Sequence, residues 1–157
     1  MNHKIIKKII EIDKEFYINF DYVNGESWYF NRYSNKNEVF LLAVDKQIVG
    51  YFLFYNISEK LFNDVLNLKY SGDYTFPENE VNVKSNYYYI PSVLVAKKYR
   101  EYSFLLLRKL KLECEKKQNL IAITISEEGR RMAETMLSYA GTVDKENNIQ
   151  IFVKTVQ

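Results

Sequence analysis

Cysteine, histidine and tryptophan each occur once in these 157 residues, proline twice and glycine five times. The lone cysteine, Cys114, excludes an intramolecular disulfide and fits a reducing compartment, so a cytoplasmic location is expected. One histidine, His3, beside one cysteine leaves no His/Cys/Asp spacing for zinc, and no metal is expected. His3, at the N-terminus, is not expected to be catalytic. Neither a G-x-S-x-G elbow nor a G-x-x-x-x-G-K phosphate loop occurs. So little glycine and proline excludes linkers and low-complexity tracts, and no internal repeat is present. No apolar window reaches the roughly 18 residues of a membrane span. Residues 1–8 interleave charge with isoleucine, so no secretory signal is expected there. A net charge of +2 is too small to argue for nucleic acid as a partner.

The apolar share of 47% and the charged share of 27% are those of a globular chain, and the length predicts one domain over 1–157. Aromatics stand out at 16%, with fourteen tyrosines, which bury a large ring while keeping a polar tip hydrated.

The spacing of Ile5, Ile9, Ile12, Phe16 and Phe20 predicts an amphipathic helix over 4–20, although its β-branched start also reads as a strand. Asn24-Gly25 breaks it, and 26–33 reads as a short second helix whose Trp28-Tyr29-Phe30 is either core or the wall of a pocket. Two apolar strands, 39–44 and 48–57, flank Asp45-Lys46-Gln47 as a hairpin, and Gly50 inside the second implies a bulge or a close backbone approach. Ser58-Glu59-Lys60 opens a helix carrying Leu61, Phe62 and Val65. The loop 69–84 brings Asp73, Glu78 and Glu80, either toward a site or into solvent.

The central stretch is aromatic and β-branched over 87–95, turns through the basic 96–100 and leaves as an apolar helix to about 117. Leu106, Leu110 and Cys114 share one face of that helix, which makes the thiol a packing residue rather than a reactive one. A buried strand over 119–125 follows. Ser126-Glu127-Glu128 has the chemistry of a helix N-cap, and that helix is expected to stop at Gly141 before a last strand over 149–156. This order predicts an α/β (α+β) domain with one mixed sheet, helices on its faces and a parallel strand pair across the central helix. Ligands in such sheets gather at the carboxyl ends of strands, here after Val95, where a helix start is a natural anion seat.

Val93-Leu94-Val95 leading into Lys98-Tyr99-Arg100, with the Val49-Gly50-Tyr51 strand before it, resembles the GNAT superfamily of acyl-CoA-dependent N-acyltransferases. There a strand ends in a V-x-P-x-Y-R-G-x-G-x-G/A pattern whose helix caps the cofactor pyrophosphate. The likeness runs from about Ile9 to Val153 and lies in element order more than motif identity. The pyrophosphate loop is degenerate: Ser103 and Leu105 stand at its glycine positions, and Glu101 where a glycine is common. The resemblance implies a mostly antiparallel sheet and an N-acyltransferase, in first place one dependent on acetyl-CoA, acting on the amine of a small molecule or protein. A catalytically impaired GNAT-like binding module is the alternative. It implies that Val93, Leu94 and Val95 meet the pantetheine arm and that Arg100, Glu101, Tyr102, Ser103, Phe104 and Leu105 hold the pyrophosphate, with Lys97 and Lys98 adding charge. Tyr89 matches the family's strand glutamate. Leu137 falls where many members keep a tyrosine acid, with Tyr139 nearby, so Tyr89 and Tyr139 are the catalytic candidates. The implied partners are an acyl-CoA and an amine acceptor, with a homodimer frequent in the family, and neither nucleic acid nor a membrane.

Overall fold

The computed structural model describes residues 2–17, 29–30, 33 and 38–155. These fall into two compact units, 1–53 with 92–110, and 54–91 with 111–157. A strand and a helix run from one into the other.

In the first unit, α1 spans His3–Lys14. Asn2 caps it, its side chain accepting the Lys4 N–H at 3.0 Å. Ile6, Ile9, Ile10 and Ile12 are buried, each worth about 1.5–3 kcal/mol of transfer free energy. The helix ends at Lys14 rather than continuing to Phe20, which lies outside the described residues together with Asn24-Gly25 and Trp28. Tyr29, Phe30 and Tyr33 are helical, and His3 meets the edge of Phe30 with ring centroids 4.6 Å apart.

The hairpin forms as expected. β1 (Glu38–Val44) and β2 (Gln47–Ile57) are joined by Asp45 and Lys46 at φ 49° and 65°. Two successive positive φ values are those of a type I′ turn, whose twist matches that of the strands. β2 is buried from Val49 through Tyr55, so both its faces are covered.

The expected strand over 87–95 is two strands, β3 (Tyr87–Ile90) and β4 (Val93–Val95), separated at Pro91-Ser92. Proline has no N–H to give a ladder, so the pairing stops there. β4 pairs antiparallel with the first half of β2, Tyr51 opposite Leu94. After a 3-10 turn over Lys97–Tyr102, α3 spans Ser103–Glu115 and buries Leu106 and Leu110.

In the second unit the end of β2 pairs antiparallel with β3, Tyr55 opposite Tyr89. α2 (Glu59–Leu66) is capped by Ser58, whose Oγ accepts the Leu61 N–H at 2.9 Å. β5 (Asn119–Thr124) runs parallel to β3 across the α3 connection, as the order of elements requires. β7 (Ile149–Lys154) pairs antiparallel with β5 and with β6 (Ser138–Asp144). Strand order among the described residues is β1-β2-β3-β5-β7-β6, with β4 on β2. The chain is therefore a mixed α/β fold, mostly antiparallel with one parallel pair.

The last helix is the main correction. α4 covers Glu127–Glu134, capped by Ser126 as expected, and ends at Thr135 rather than Gly141. Gly141 lies inside β6. β-branched Thr142 and Val143 suit a strand, and the ladder to β7 overrides glycine's value as a helix stop. No helix among the described residues is long and apolar enough to cross a membrane.

Candidate functional site

The expected cofactor residues form one strand, turn and helix start within the first unit. Val93, Leu94 and Val95 are half-buried on β4, which takes its ladder from β2. The Ala96 N–H extends that ladder, donating to the Val49 carbonyl at 2.8 Å. Gly50 makes the approach possible: a Cβ there would stand 2.9 Å from the Leu94 carbonyl oxygen and 3.0 Å from Val95 Cγ2. The expectation of a close backbone approach at Gly50 is met.

Beyond Ala96 the backbone coils tightly. The Tyr99 N–H donates to the Ala96 carbonyl at 2.8 Å, and Tyr99 itself leaves helical geometry at φ −113°, ψ 21°. Arg100, Glu101 and Tyr102 complete the 3-10 segment, and Ser103, Phe104 and Leu105 form the first turn of α3. Lys97, Lys98 and Arg100 are exposed, and Lys98 Nζ stands 5.5 Å from the Tyr99 ring centroid. Phe104 and Leu105 project outward, 63% and 43% exposed, because the buried stripe of α3 runs through Leu106 and Leu110. A helix start of this kind presents N–H groups and the positive end of the helix dipole, and three cations stand beside it.

Two contacts from the end of α1 reach this segment. Glu15 Oε2 accepts the backbone N–H of Lys97 at 2.7 Å, and Lys97 Nζ lies 5.6 Å from the Phe16 ring centroid. Asp13, 3% exposed, accepts hydrogen bonds from Tyr29 OH at 2.7 Å and from Tyr51 OH. A buried carboxylate at the C-terminal end of a helix is unfavourable through both desolvation and the macrodipole, and phenol donors offset that cost. Burial first, and then the Asp13 charge, push the Tyr51 phenol well above its ordinary pKa. The Ser92 side chain acts weakly the other way, lowering it.

Sequence reading overlooked Asp13, Glu15, Tyr51 and Ser92. One signal was there: Asp13 falls on the stripe of Ile6, Ile9 and Ile10, where an ionisable residue is out of place. Its phenol partner 38 residues away leaves no local trace.

The two catalytic candidates are not brought together. Both belong to the second unit, but β5 and β7 lie between their strands, which puts their backbones roughly 14 Å apart at ordinary strand spacing. Tyr89 is 2% exposed, packed against Tyr55 and Phe76 at 6.0 and 4.9 Å between centroids. Tyr139 is 59% exposed on β6, its hydroxyl 2.8 Å from Thr142 Oγ1. Leu137, at the family's tyrosine position, is buried just before β6.

Two of the loop acids have local roles. Asp73 accepts from Tyr55 OH at 3.2 Å, while Glu80 accepts from Ser58 Oγ and lies 3.4 Å from Lys60 Nζ. Cys114 is buried, and burial raises its thiol to about 12. No group of His, Cys, Asp and Glu able to hold a metal occurs among the described residues.

No family model matches the sequence, and no curated protein matches it. Solved structures do. An acetyltransferase of the GNAT family from Streptococcus agalactiae 2603 superposes with TM-score 0.61 at 14% identity, over 98% of this chain and 89% of that one. The fold is that of the GNAT acetyltransferases. Aminoglycoside 6'-acetyltransferase type Ii gives TM-score 0.61 at 8% identity, over 98% of this chain and 92% of its own. The PaiA N-acetyltransferase from Thermoplasma acidophilum, solved in complex with coenzyme A, gives TM-score 0.54 at 10% identity, over 99% and 96%. At such identities the likeness is one of GNAT architecture.

Proposed function

We propose that this chain is an N-acyltransferase that takes its acyl group from acetyl-CoA and passes it to an amine of a small molecule or protein. One observation carries the reading: β4, laddered to β2, leads directly into a helix start flanked by Lys97, Lys98 and Arg100. These residues fit the cofactor. The backbone of Val93, Leu94 and Val95 would hold the pantetheine arm, and the segment over 100–105, at the positive end of α3, would hold the pyrophosphate, although the Ser103 N–H is already bonded to the Arg100 carbonyl. Ser103 is small, and the outward course of Phe104 and Leu105 leaves the backbone, not their side chains, to define the anion seat.

When bound, acetyl-CoA supplies an activated acyl carbon as a thioester. The chain's own contribution is to hold that carbon and the amine in register, which alone is worth several kcal/mol of barrier. Tyr89 packs in the core at 2% exposure. Tyr139 has the exposed hydroxyl of the two, and Tyr139→Phe tests it as a proton donor.

The tyrosine separation favours a second reading, a GNAT-like module that binds a ligand or partner without transfer. Calorimetric titration with acetyl-CoA, followed by thiol release over a panel of amines, separates the two. The enzyme predicts saturable binding and release that needs both substrates; binding without release assigns the module. No binding at millimolar acetyl-CoA overturns the acyl-CoA reading.

A further inference from the structure

The end of α1 holds β4 from two directions. Tyr51, opposite Leu94 in the ladder, donates its hydroxyl to Asp13. After Val95, the N–H of Lys97 donates to Glu15 at 2.7 Å, and the Lys97 ammonium lies over Phe16. The strand is only three residues long and, among the described residues, has one ladder to hold it. The Lys97 N–H is also the first of the 3-10 turn, so whatever holds it sets how the chain enters α3.

We propose that Glu15 is a positioning residue for the acyl-CoA segment: by accepting the Lys97 N–H it fixes the 3-10 turn that sets the position of the first turn of α3, where the cofactor pyrophosphate would sit. The inference rests on the acyl-CoA reading above. Glu15 touches neither cofactor nor acceptor in this account and acts through the backbone of Lys97. Two effects of opposite sign meet at its carboxylate. As an acceptor it orders the turn; as an anion beside an anion seat it repels phosphate, weakly at a solvated surface. Glutamine keeps the acceptor oxygen and removes the charge, and alanine removes both, so the two substitutions separate the effects.

Glu15→Ala is expected to weaken CoA binding by about five- to tenfold, the upper part of the range for one ordinary hydrogen bond at a solvated site. Glu15→Gln is expected to bind CoA within twofold of wild type or more tightly. Glu15→Ala should lose only a few degrees in melting temperature, the loss of one hydrogen bond at a half-buried site, and Glu15→Gln should melt near wild type. KM for the acceptor amine should not move. A purely structural role would lower stability and affinity together and would not be rescued by glutamine.

The test is calorimetric titration of the three proteins with CoA, alongside amide hydrogen exchange at Lys97 without ligand. Exchange at Lys97 should be faster in Glu15→Ala than in wild type. Equal CoA affinity in Glu15→Ala and wild type overturns the positioning role while leaving the acyl-CoA reading intact. A Glu15→Gln variant as weak as Glu15→Ala overturns the acceptor-atom argument. Wild type that binds no CoA overturns the functional reading and this role together, and exchange at Lys97 then shows whether the α1 contact exists apart from any cofactor.

Discussion

Replacing Gly50 by alanine tests whether the approach of β2 to β4 is as tight as it looks. The added Cβ would sit 2.9 Å from the Leu94 carbonyl oxygen, 3.0 Å from Val95 Cγ2 and 3.3 Å from Val95 Cα. Two of those three neighbours are backbone, which cannot rotate away. β4 must therefore move by a few tenths of an ångström, against a ladder that includes the Ala96 N–H to Val49 bond. Overpacking of this kind costs about 1–3 kcal/mol. In a chain of this size that corresponds to a fall in Tm of roughly 2–12 °C. Gly141 is the matched control: its Cβ would also stand 2.9 Å from a neighbour, but that neighbour is Leu68 Cδ2, a flexible side-chain end. Urea unfolding of the two variants and wild type should give a clear fall in midpoint for Gly50→Ala and little change for Gly141→Ala. Because β4 moves, Gly50→Ala should also bind acetyl-CoA more weakly. A Gly50→Ala protein as stable as wild type would refute the steric reasoning and, with it, the claim that β4 is held in a narrow position.

Tyr51→Phe removes one donor from the buried Asp13 carboxylate and should cost about 1.5–3 kcal/mol, read as a lower urea midpoint at unchanged slope. No loss would mean that the bond contributes nothing. Ser58→Ala should cost about 1 kcal/mol through the lost α2 cap. The Ser58 hydroxyl is also the leading cause that lowers the Glu80 pKa, and a depressed carboxylate stabilises above its unfolded value and ceases to as pH falls through its folded one. Acid melts of Ser58→Ala should therefore lose less between pH 7 and pH 3 than wild type; an equal loss contradicts the assignment. Cys114 should react with thiol reagents at pH 8 only as fast as the protein opens, because its thiol is raised to about 12. A group raised in the folded state stabilises fully below its unfolded value near 9 and less as pH climbs toward 12, so Cys114→Ala should flatten the alkaline side of the stability profile. Rapid labelling of the folded protein would contradict the burial.

Local signals account for what was legible. Apolar runs on either side of a polar turn marked the hairpin around Asp45-Lys46, hydroxyl caps marked the starts of α2 and α4, and an apolar run after a crossover marked β5 as parallel to β3. Competition between signals hid the rest. Gly141 carried a helix-stop meaning that the β7 ladder overrode, and the uniform β character of residues 87–95 masked the break that Pro91 imposes. The strand, turn and helix start over Val93 to Leu105 could be read because they are contiguous in sequence. The grip of α1 on that segment could not, since Glu15 and Lys97 lie 82 residues apart and meet only in the fold. Tyr89 and Tyr139, by contrast, are kept apart by the sheet order, with β5 and β7 between their strands.

The central claim is that the β4 backbone and the first turn of α3 hold an acyl-CoA. Amide hydrogen exchange with and without saturating acetyl-CoA tests it most directly, since it reads each backbone N–H separately. The account predicts slowed exchange at Val93, Val95 and the amides over 100–105, with a global stabilisation of about 2.7 kcal/mol at a hundred times Kd. Unchanged exchange over 93–105 at millimolar acetyl-CoA, or protection confined to other segments, would contradict it.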